Sequence, residues 1–481
     1  GVDIGRTSGV NLWRYHLLSN GAAAALGAGD LISAEELLGK MHEHRDGARR
    51  LDRCSYHYYR SWLAMLRRDV VEAHQEQKTA LRLAIESGCP FYEVLCRLAL
   101  AEIFHELGDE RRTITNLRRV RRLARGIDNR FMEYMAFSTY AYIALAHGRR
   151  RSGLNALRYA FGIGRDHGFR HFVWWQPRVM AELCVQALES GIEVDYARDL
   201  IRSRDLMPDP PPVTVDAWPW PIRIRTFGGF QVLEDGRPLE TLAKPQQKPI
   251  ELLKALVAFG AVDVKERELA ADLWPRIDAE CAHRSLTTTL HRLRKVLPHD
   301  QAIGLKHGRL SLDAACCWLD VNAFERVLDD IDAALGYARA RPPEAVVSQL
   351  ADRLFEIYRG PFMAGEGKQP RYLPARERYR NKFLSAASSL ARYWEEVRRW
   401  DQVARLYCRG LEADAFVEGF YRRLMLCYRQ LGRHAEAVEV YDSCRRALST
   451  ERDAAPSPET TAIYQSVVEA LTENTRSQQY G

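Results

Sequence analysis

Cys281 to His299 reads CAHRSLTTTLHRLRKVLPH, nineteen residues without a carboxylate. At about 100° per residue, Leu286, Leu290, Leu293 and Leu297 fall on one stripe of a helix, the spacing of a face that packs on a core. Arg284, Thr288, His291, Arg292 and Lys295 then point away from that stripe. The outward face joins guanidinium forks, a hydroxyl and an imidazole with no competing negative charge, which suits a helix lying against phosphates and base edges in a major groove. A basic outer face is also common on ordinary solvated helices, so the neighbouring elements must decide between the two readings.

Upstream, Asp263 to Trp274 (DVKERELAADLW) opens with Asp263 and Glu266 at capping-box spacing and places Leu269 and Leu273 four apart, which predicts a short helix stopped by Pro275. Farther back, Pro245 to Phe259 carries Ile250, Leu253, Leu256 and Val257 at helical spacing before Gly260. Ile303 to Leu312 alternates apolar residues around Lys306-His307-Gly308-Arg309, which predicts a β-hairpin with a basic tip. Ile222 to Leu233 gives two short alternating strands broken by Gly228-Gly229. Strands, three helices and a terminal hairpin make a winged helix-turn-helix, its third helix directed to the major groove and its hairpin serving as the wing. On this reading Arg284, Thr288, His291 and Arg292 meet base edges or adjoining phosphates, Arg294 and Lys295 hold backbone, and Lys306 with Arg309 anchor the wing.

Taken in order, LAKPQQKPIELLKALVAFG, ELAADLWP, AHRSLTTTLHRLRKVL and GRLSLDAACCWLDVNAFE resemble the winged-helix domain of bacterial activators of the antibiotic-regulatory-protein family. That domain is similar to the effector domain of two-component response regulators, whose third helix enters the major groove while the wing tip approaches the minor groove. The resemblance continues through YRGPFMAGE, LPARERYRNKFL and PSPETTAIY, and so covers about the last 260 residues. It implies a bacterial transcriptional activation domain after the winged helix, binding to double-stranded DNA as a homodimer on repeated half-sites, and contact with RNA polymerase.

Phe383 to Leu448 repeats itself at an offset of 34 residues, pairing Leu390 with Leu424, Trp394 with Tyr428, Val397 with Leu431, Arg399 with Arg433, Val403 with Ala437 and Tyr407 with Tyr441. That period is the tetratricopeptide signature, and these aromatics are expected in the core. The first 206 residues step by nearly 40. Gly29-Asp30, Arg68-Asp69, Gly108-Asp109 and Gly148-Arg149 recur as turn pairs, and Ala84 to Phe91 is echoed by Ala124 to Phe131. The period resembles the superhelical sensor region of maltotriose-type activators. That likeness implies a protein or small-molecule effector at the repeats and a nucleotide-binding switch domain upstream of Gly1, outside the present residues.

The expected fold is mainly α: a helical-repeat (TPR-like) solenoid at 1–206, a small α+β winged helix-turn-helix domain at 222–319, a TPR-like helical domain at 320–472 and a flexible tail at 473–481. Between the first two, 207–221 (MPDPPPVTVDAWPWP in full) carries six prolines and reads as an extended, polyproline-like spacer. Trp218 and Trp220 are expected to dock on a neighbour, and Arg341-Pro342-Pro343 marks a loop in the C-terminal helical domain.

With 481 residues, 46% hydrophobic and 28% charged, the chain has the composition of an ordinary folded protein, and its net charge of +7 permits nucleic-acid binding without arguing for it. No run of eighteen apolar residues is present, which points away from a membrane and to the cytoplasm. The ten cysteines include no C-x-x-C pair and read as reduced core residues; no metal is expected. His167 and His171 flank Gly168 and read as a satisfied polar turn. There is no G-x-x-x-x-G-K-[ST] loop, G-x-S-x-G elbow or H-E-x-x-H helix, so neither a cofactor nor catalysis has a candidate. The residues point to a sequence-specific transcriptional regulator, an activator, rather than an enzyme. The alternative is a signalling scaffold whose winged helix contacts protein instead of DNA.

Overall fold

The 40-residue step of the first part of the chain has a local cause. Gly29, Arg68, Gly108 and Gly148 hold left-handed φ values of 77°, 63°, 73° and 70°, the conformation that ends a helix. The N–H of each following residue donates to a carbonyl five residues back: Asp30 to Ala25 at 3.0 Å, Asp69 to Ala64 at 2.9 Å, Asp109 to Phe104 at 2.8 Å and Arg149 to Ala144 at 2.9 Å. The three aspartates then cap the next helix by accepting the N–H groups of Ser33, Glu72 and Arg112.

The computed structural model describes residues 14–44, 48–124, 129–239, 247–336, 341–367, 369–452 and 454–479. Within them the four turns join α1 (Arg14–Ala28) to α2 (Leu31–Glu43), α3 (Arg50–Leu66) to α4 (Val70–Glu86), α5 (Pro90–Glu106) to α6 (Glu110–Ala124), and α7 (Arg130–Ala146) to α8 (Arg150–His167). A further hairpin, α9 (Pro177–Glu189) and α10 (Val194–Arg204), follows. Consecutive helices pack on one another, giving the helical-repeat solenoid that the period predicts. The echoing segment from Ala124 to Phe131 lies partly outside the described residues.

Between α8 and α9 the chain turns inward. Phe172, Trp174 and Trp175 are buried, Trp174 holds φ 75°, and Trp62 Nε1 donates to the Trp175 carbonyl at 2.9 Å. On α5 the carboxylate of Glu102 accepts from Trp174 Nε1 at 2.9 Å, Gln176 Nε2 at 2.5 Å and Thr139 Oγ1 at 2.8 Å. Burial pushes its pKa up to about 7 against the pull of those donors. The expected polar turn at His167 and His171 is corrected here. His167 is exposed and stacks on Phe169, but His171 lies between Trp62 and Trp175 with no partner for its Nε2. Burial, with Arg204 nearby, lowers the His171 pKa to about 4, so its ring is neutral.

The expected extended spacer at 207–221 is also corrected. Val213 N donates to Pro211 O, Val215 N to Pro212 O and Trp218 N to Val215 O, so short turns replace an extended run. Leu206, Val215 and Trp218 are buried, and Arg198 Nε donates to the Ala217 carbonyl at 2.9 Å, which holds this segment against α10. The chain accordingly divides into the compact units Gly1–Pro219 and Trp220–Gly481.

In the second unit, β1 (Ile222–Arg225) pairs antiparallel with β2 (Gln231–Glu234), which in turn pairs with β3 (Arg237–Pro238). Three helices follow: α11 (Gln247–Ala258), α12 (Glu266–Leu273) and α13 (Ala279–Val296). Pro245, where the first of them was expected to begin, lies outside the described residues. A second sheet has the order β4-β6-β5, from β4 (Val264–Lys265), β5 (Ile303–Lys306) and β6 (Arg309–Leu312). β7 (Cys317–Leu319) returns to pair parallel with β1.

The remaining helices are α14 (Asp320–Leu335), α15 (Glu344–Ile357), α16 (Leu373–Glu396), α17 (Trp400–Ala413), α18 (Glu418–Gln430), α19 (His434–Arg452) and α20 (Pro458–Gln479). The 34-residue offset marks equivalent turns: Arg398 and Gly432 hold φ 56° and 72°, while Arg399 N and Arg433 N reach back to Trp394 O and Tyr428 O. Leu390, Leu424, Trp394, Val403, Ala437 and Tyr407 are buried as core. Helix α20 continues through Gln479 into the segment expected as a tail at 473–481, since ENTRSQQ holds no glycine or proline to end it. One hydrophobic core runs from Ile222 to Cys427, across the expected boundary at 319–320.

Glu102 supplies a test of the first unit. Its folded pKa lies above its ordinary value of 4.5, so its stabilising contribution is fully present below about pH 4.5 and is lost as pH rises through about 7. The shift corresponds to roughly 3 kcal/mol between those limits. Thermal unfolding of the full chain between pH 4.5 and 8 is expected to lose stability more steeply than in Glu102→Gln; superimposable pH profiles would refute the assignment.

Candidate nucleic-acid interface

The helix α13 begins two residues before Cys281, because Asp278 at its N-cap accepts the Cys281 N–H at 2.9 Å. Leu286, Leu290, Leu293 and Leu297 are all buried, and Ala282 and Thr289 join that face. Turned away from it, Arg284, Thr288, His291, Arg292 and Lys295 are exposed. Arg284, Thr288, His291 and Lys295 occupy i, i+4, i+7 and i+11, one line along the helix, with Arg292 beside it. His283 and Thr287 are exposed on the other flank and were missed from sequence, although the same periodicity includes them.

The Thr288 hydroxyl donates to the Arg284 carbonyl at 3.0 Å, and Thr287 does the same to His283. Both hydroxyl protons are thus engaged, leaving oxygen lone pairs outward. The one acid in the first turn, Glu280, lies at the N-terminal end of the helix, ahead of the basic line.

Arg294 differs from its neighbours. Half-buried, it donates from Nε at 3.2 Å and Nη2 at 2.9 Å to the Ile303 carbonyl. It therefore acts as a strut from α13 to the first strand of the hairpin, β5. The wing closes through a two-residue turn in which His307 and Gly308 hold φ 51° and 71°, the pair of left-handed residues that a tight hairpin needs. This register sets Lys306 opposite Arg309.

Lys306 and His307 are exposed at the tip. Arg309 is held back: its Nη1 donates to the Asp263 carbonyl at 3.0 Å and carboxylate at 2.9 Å. Asp263 accordingly does not form the expected capping box. Strand β4 pairs with β6 and moves the start of α12 to Glu266, with Lys265 as an N-cap that makes no side-chain bond, while Glu266 N donates to Gly308 O at the wing turn. Asp263 itself has φ 58° and lies before that strand.

Two ion pairs brace this assembly from the segment between α15 and α16. Arg371 meets Asp272 on α12 at 2.8 Å, and Lys254 on α11 meets Glu366 at 2.5 Å. Among the described residues, no cluster of His, Cys, Asp and Glu has the geometry to hold a metal, and no helix is long and apolar enough to cross a membrane.

Residues 319–468 match the family described as the bacterial transcriptional activator domain. No curated protein matches the chain. Among solved structures, Mycobacterium tuberculosis EmbR in complex with a low affinity phosphopeptide is 17% identical, with 52% of this chain and 65% of that chain covered and a TM-score of 0.38. The present chain thus spans less than two thirds of that protein's solved length. The P58(IPK) TPR domain is 9% identical over 96% of this chain and 99% of that one, at a TM-score of 0.21. The APC/C hetero-tetramer Cut9-Hcn1 is 9% identical over 97% and 98%, at 0.25.

The two neighbouring arginines separate by experiment. Arg294→Ala leaves a buried carbonyl unsatisfied and is expected to cost about 1 to 3 kcal/mol in urea unfolding, with faster amide exchange in β5 and β6. Arg292→Ala, at an exposed position, should stay within about 0.5 kcal/mol of the parent. Equal losses in the two variants would show that Arg294 is not a strut.

Proposed function

We propose that the chain is a sequence-specific DNA-binding transcriptional regulator, an activator, in which α13 is the recognition helix and β5–β6 the wing. The observation that carries this reading is the division of α13 into a buried leucine stripe and an exposed, carboxylate-free face of Arg284, Thr288, His291, Arg292 and Lys295. The matched activator domain at 319–468 supports it, since that domain directly follows and braces the winged helix.

Arg292 is assigned as base reader, because a guanidinium can bond a guanine edge bidentately, for about 1 to 3 kcal/mol of discrimination. Arg284, Thr288, His291 and Lys295 flank it on bases or phosphates, and Lys306 at the wing tip meets backbone. Arg294 and Arg309 serve by holding helix and wing in place. The C-terminal helical repeats would engage RNA polymerase or a second copy of the chain, and the N-terminal repeats would receive a protein or small-molecule effector. Such a regulator works where the DNA is, in the cytoplasm, and performs no catalysis.

Selection of genomic fragments by the purified chain is expected to enrich one motif. In gel-shift titrations on that motif, Arg292→Ala should flatten sequence preference, whereas Lys306→Ala should weaken all duplexes alike and reduce the salt slope by about 1. No enriched motif at any salt concentration would overturn the regulator reading and favour the protein scaffold.

A further inference from the structure

Helix α6 reads ERRTITNLRRVRRLA, six arginines against one glutamate. Thr113, Asn116 and Val120 are its buried side. Opposite them Arg111, Thr115, Arg118 and Arg122 are exposed at i, i+4, i+7 and i+11.

The 40-residue period carries this line onto the neighbouring hairpins. On α4 the equivalent exposed residues are Val71, Gln75, Lys78 and Arg82; on α8 they are Arg151, Asn155 and Arg158, followed by half-buried Gly162. By that period Lys78, Arg118 and Arg158 hold one equivalent exposed position on three hairpins, while Arg82 with Arg122 and Arg111 with Arg151 share others. Gln75, Thr115 and Asn155, also equivalent by the period, set a hydrogen-bonding side chain between those cations on each helix. Seven of the twelve positions are cationic and none is acidic.

The acids of these helices are engaged elsewhere. Glu72 pairs with Arg60, Glu76 with His57 at 2.5 Å, Glu110 with Arg149 at 2.6 Å and Asp166 with Arg165 at 2.9 Å. Glu86 takes Arg82 at 3.2 Å, the one ladder cation with an acidic partner among the described residues.

We infer that this face of the solenoid binds the phosphate backbone of duplex DNA without reading its sequence, as a second contact separate from α13. Charge complementarity chooses the occupant. Phosphates are held by Arg and Lys together with Ser, Thr, Asn and Gln side chains, the composition of these positions. A protein interface would centre on a buried aromatic or aliphatic anchor, whereas Val71 at one corner is the only large apolar residue of the twelve. Along α6, Arg118 and Arg122 are about 6 Å apart and Arg111 and Arg118 about 10 Å apart by helical rise, so the cations are spread along a line rather than gathered on one small anion.

The test uses the full chain and a random-sequence duplex, followed by fluorescence anisotropy across a salt series. For Arg111→Gln with Arg118→Gln and Arg122→Gln, the slope of log K against log salt is expected to fall by about 2 to 3, since each lost phosphate contact removes about 0.9. The same three sites changed to Lys should keep the parent slope. Unchanged slope and affinity in the Gln variant would overturn the inference, and so would loss of binding to polyglutamate or to phosphatidylserine vesicles with duplex binding intact. Should the triple variant unfold by circular dichroism, Arg118→Gln alone decides, through a slope change of about 0.9 or none. A chain in which Arg292→Ala abolishes preference while the Gln variant binds random duplex unchanged would keep the recognition helix and lose this second surface.

Discussion

The second unit depends on one buried carboxylate. Asp320, the first residue of α14, accepts from Thr226 N at 2.5 Å, Thr226 Oγ1 at 2.7 Å and Phe227 N at 2.9 Å. Burial lifts its pKa to about 6, while those three donors favour the charged form. Such an acceptor is costly to leave without its donors, so the end of β1 is fixed to the start of the helical domain. Phe227 then follows with its ring among Phe324, Tyr358, Phe362 and Tyr379, and Met363 N closes on the Thr226 carbonyl at 2.8 Å. The winged helix and the helices after it therefore share one core, and a load on the C-terminal helices reaches β1 through packed side chains rather than through a linker.

How much of this could be read from the residues follows from the range of each interaction. The leucine stripe of α13, the wing turn and the 34- and 40-residue steps were legible, because each is fixed by neighbours within a turn or two of helix or by direct strand pairing. The strut made by Arg294 was not legible because its acceptor, the Ile303 carbonyl, is nine positions away across a loop. Asp263 was misread because a two-residue strand paired with β6 outcompeted a local cap. His171 needed Trp62, more than a hundred residues earlier, to become a buried neutral ring. The run Phe172 to Trp175 did carry a signal, since so many large apolar groups in one loop need burial, but only the assembled solenoid shows where they go.

The two repeat lengths share one turn design with different residues. Glycine holds the left-handed position at Gly108 and Gly432, but arginine holds it at Arg68 and Arg398. A side chain there costs roughly 1 to 2 kcal/mol, so at these two turns packing of the flanking helices imposes the conformation on an unwilling residue. Around Arg398 the neighbours are buried Trp394 and Val403, and around Arg68 buried Ala64 and Met65. The period is consequently a property of how hairpins stack, and a search for glycine alone would lose two of the six turns, Arg68 and Arg398.

The same reasoning explains why a net charge of +7 says so little about this chain. Sixty-three acids nearly balance seventy bases in number, yet they are not mixed evenly over the surface. Glu72 and Glu76 turn back to Arg60 and His57 on α3, Asp263 engages Arg309, and Asp272 and Glu366 engage Arg371 and Lys254. Each such pair matches an acid to a particular cation and leaves the other cations to set the local charge. Within about 8 to 10 Å, the screening length at ordinary ionic strength, a passing anion responds to that local arrangement and not to the sum. The basic faces of α13 and α6 thus arise from where the acids are pinned as much as from where the arginines are placed.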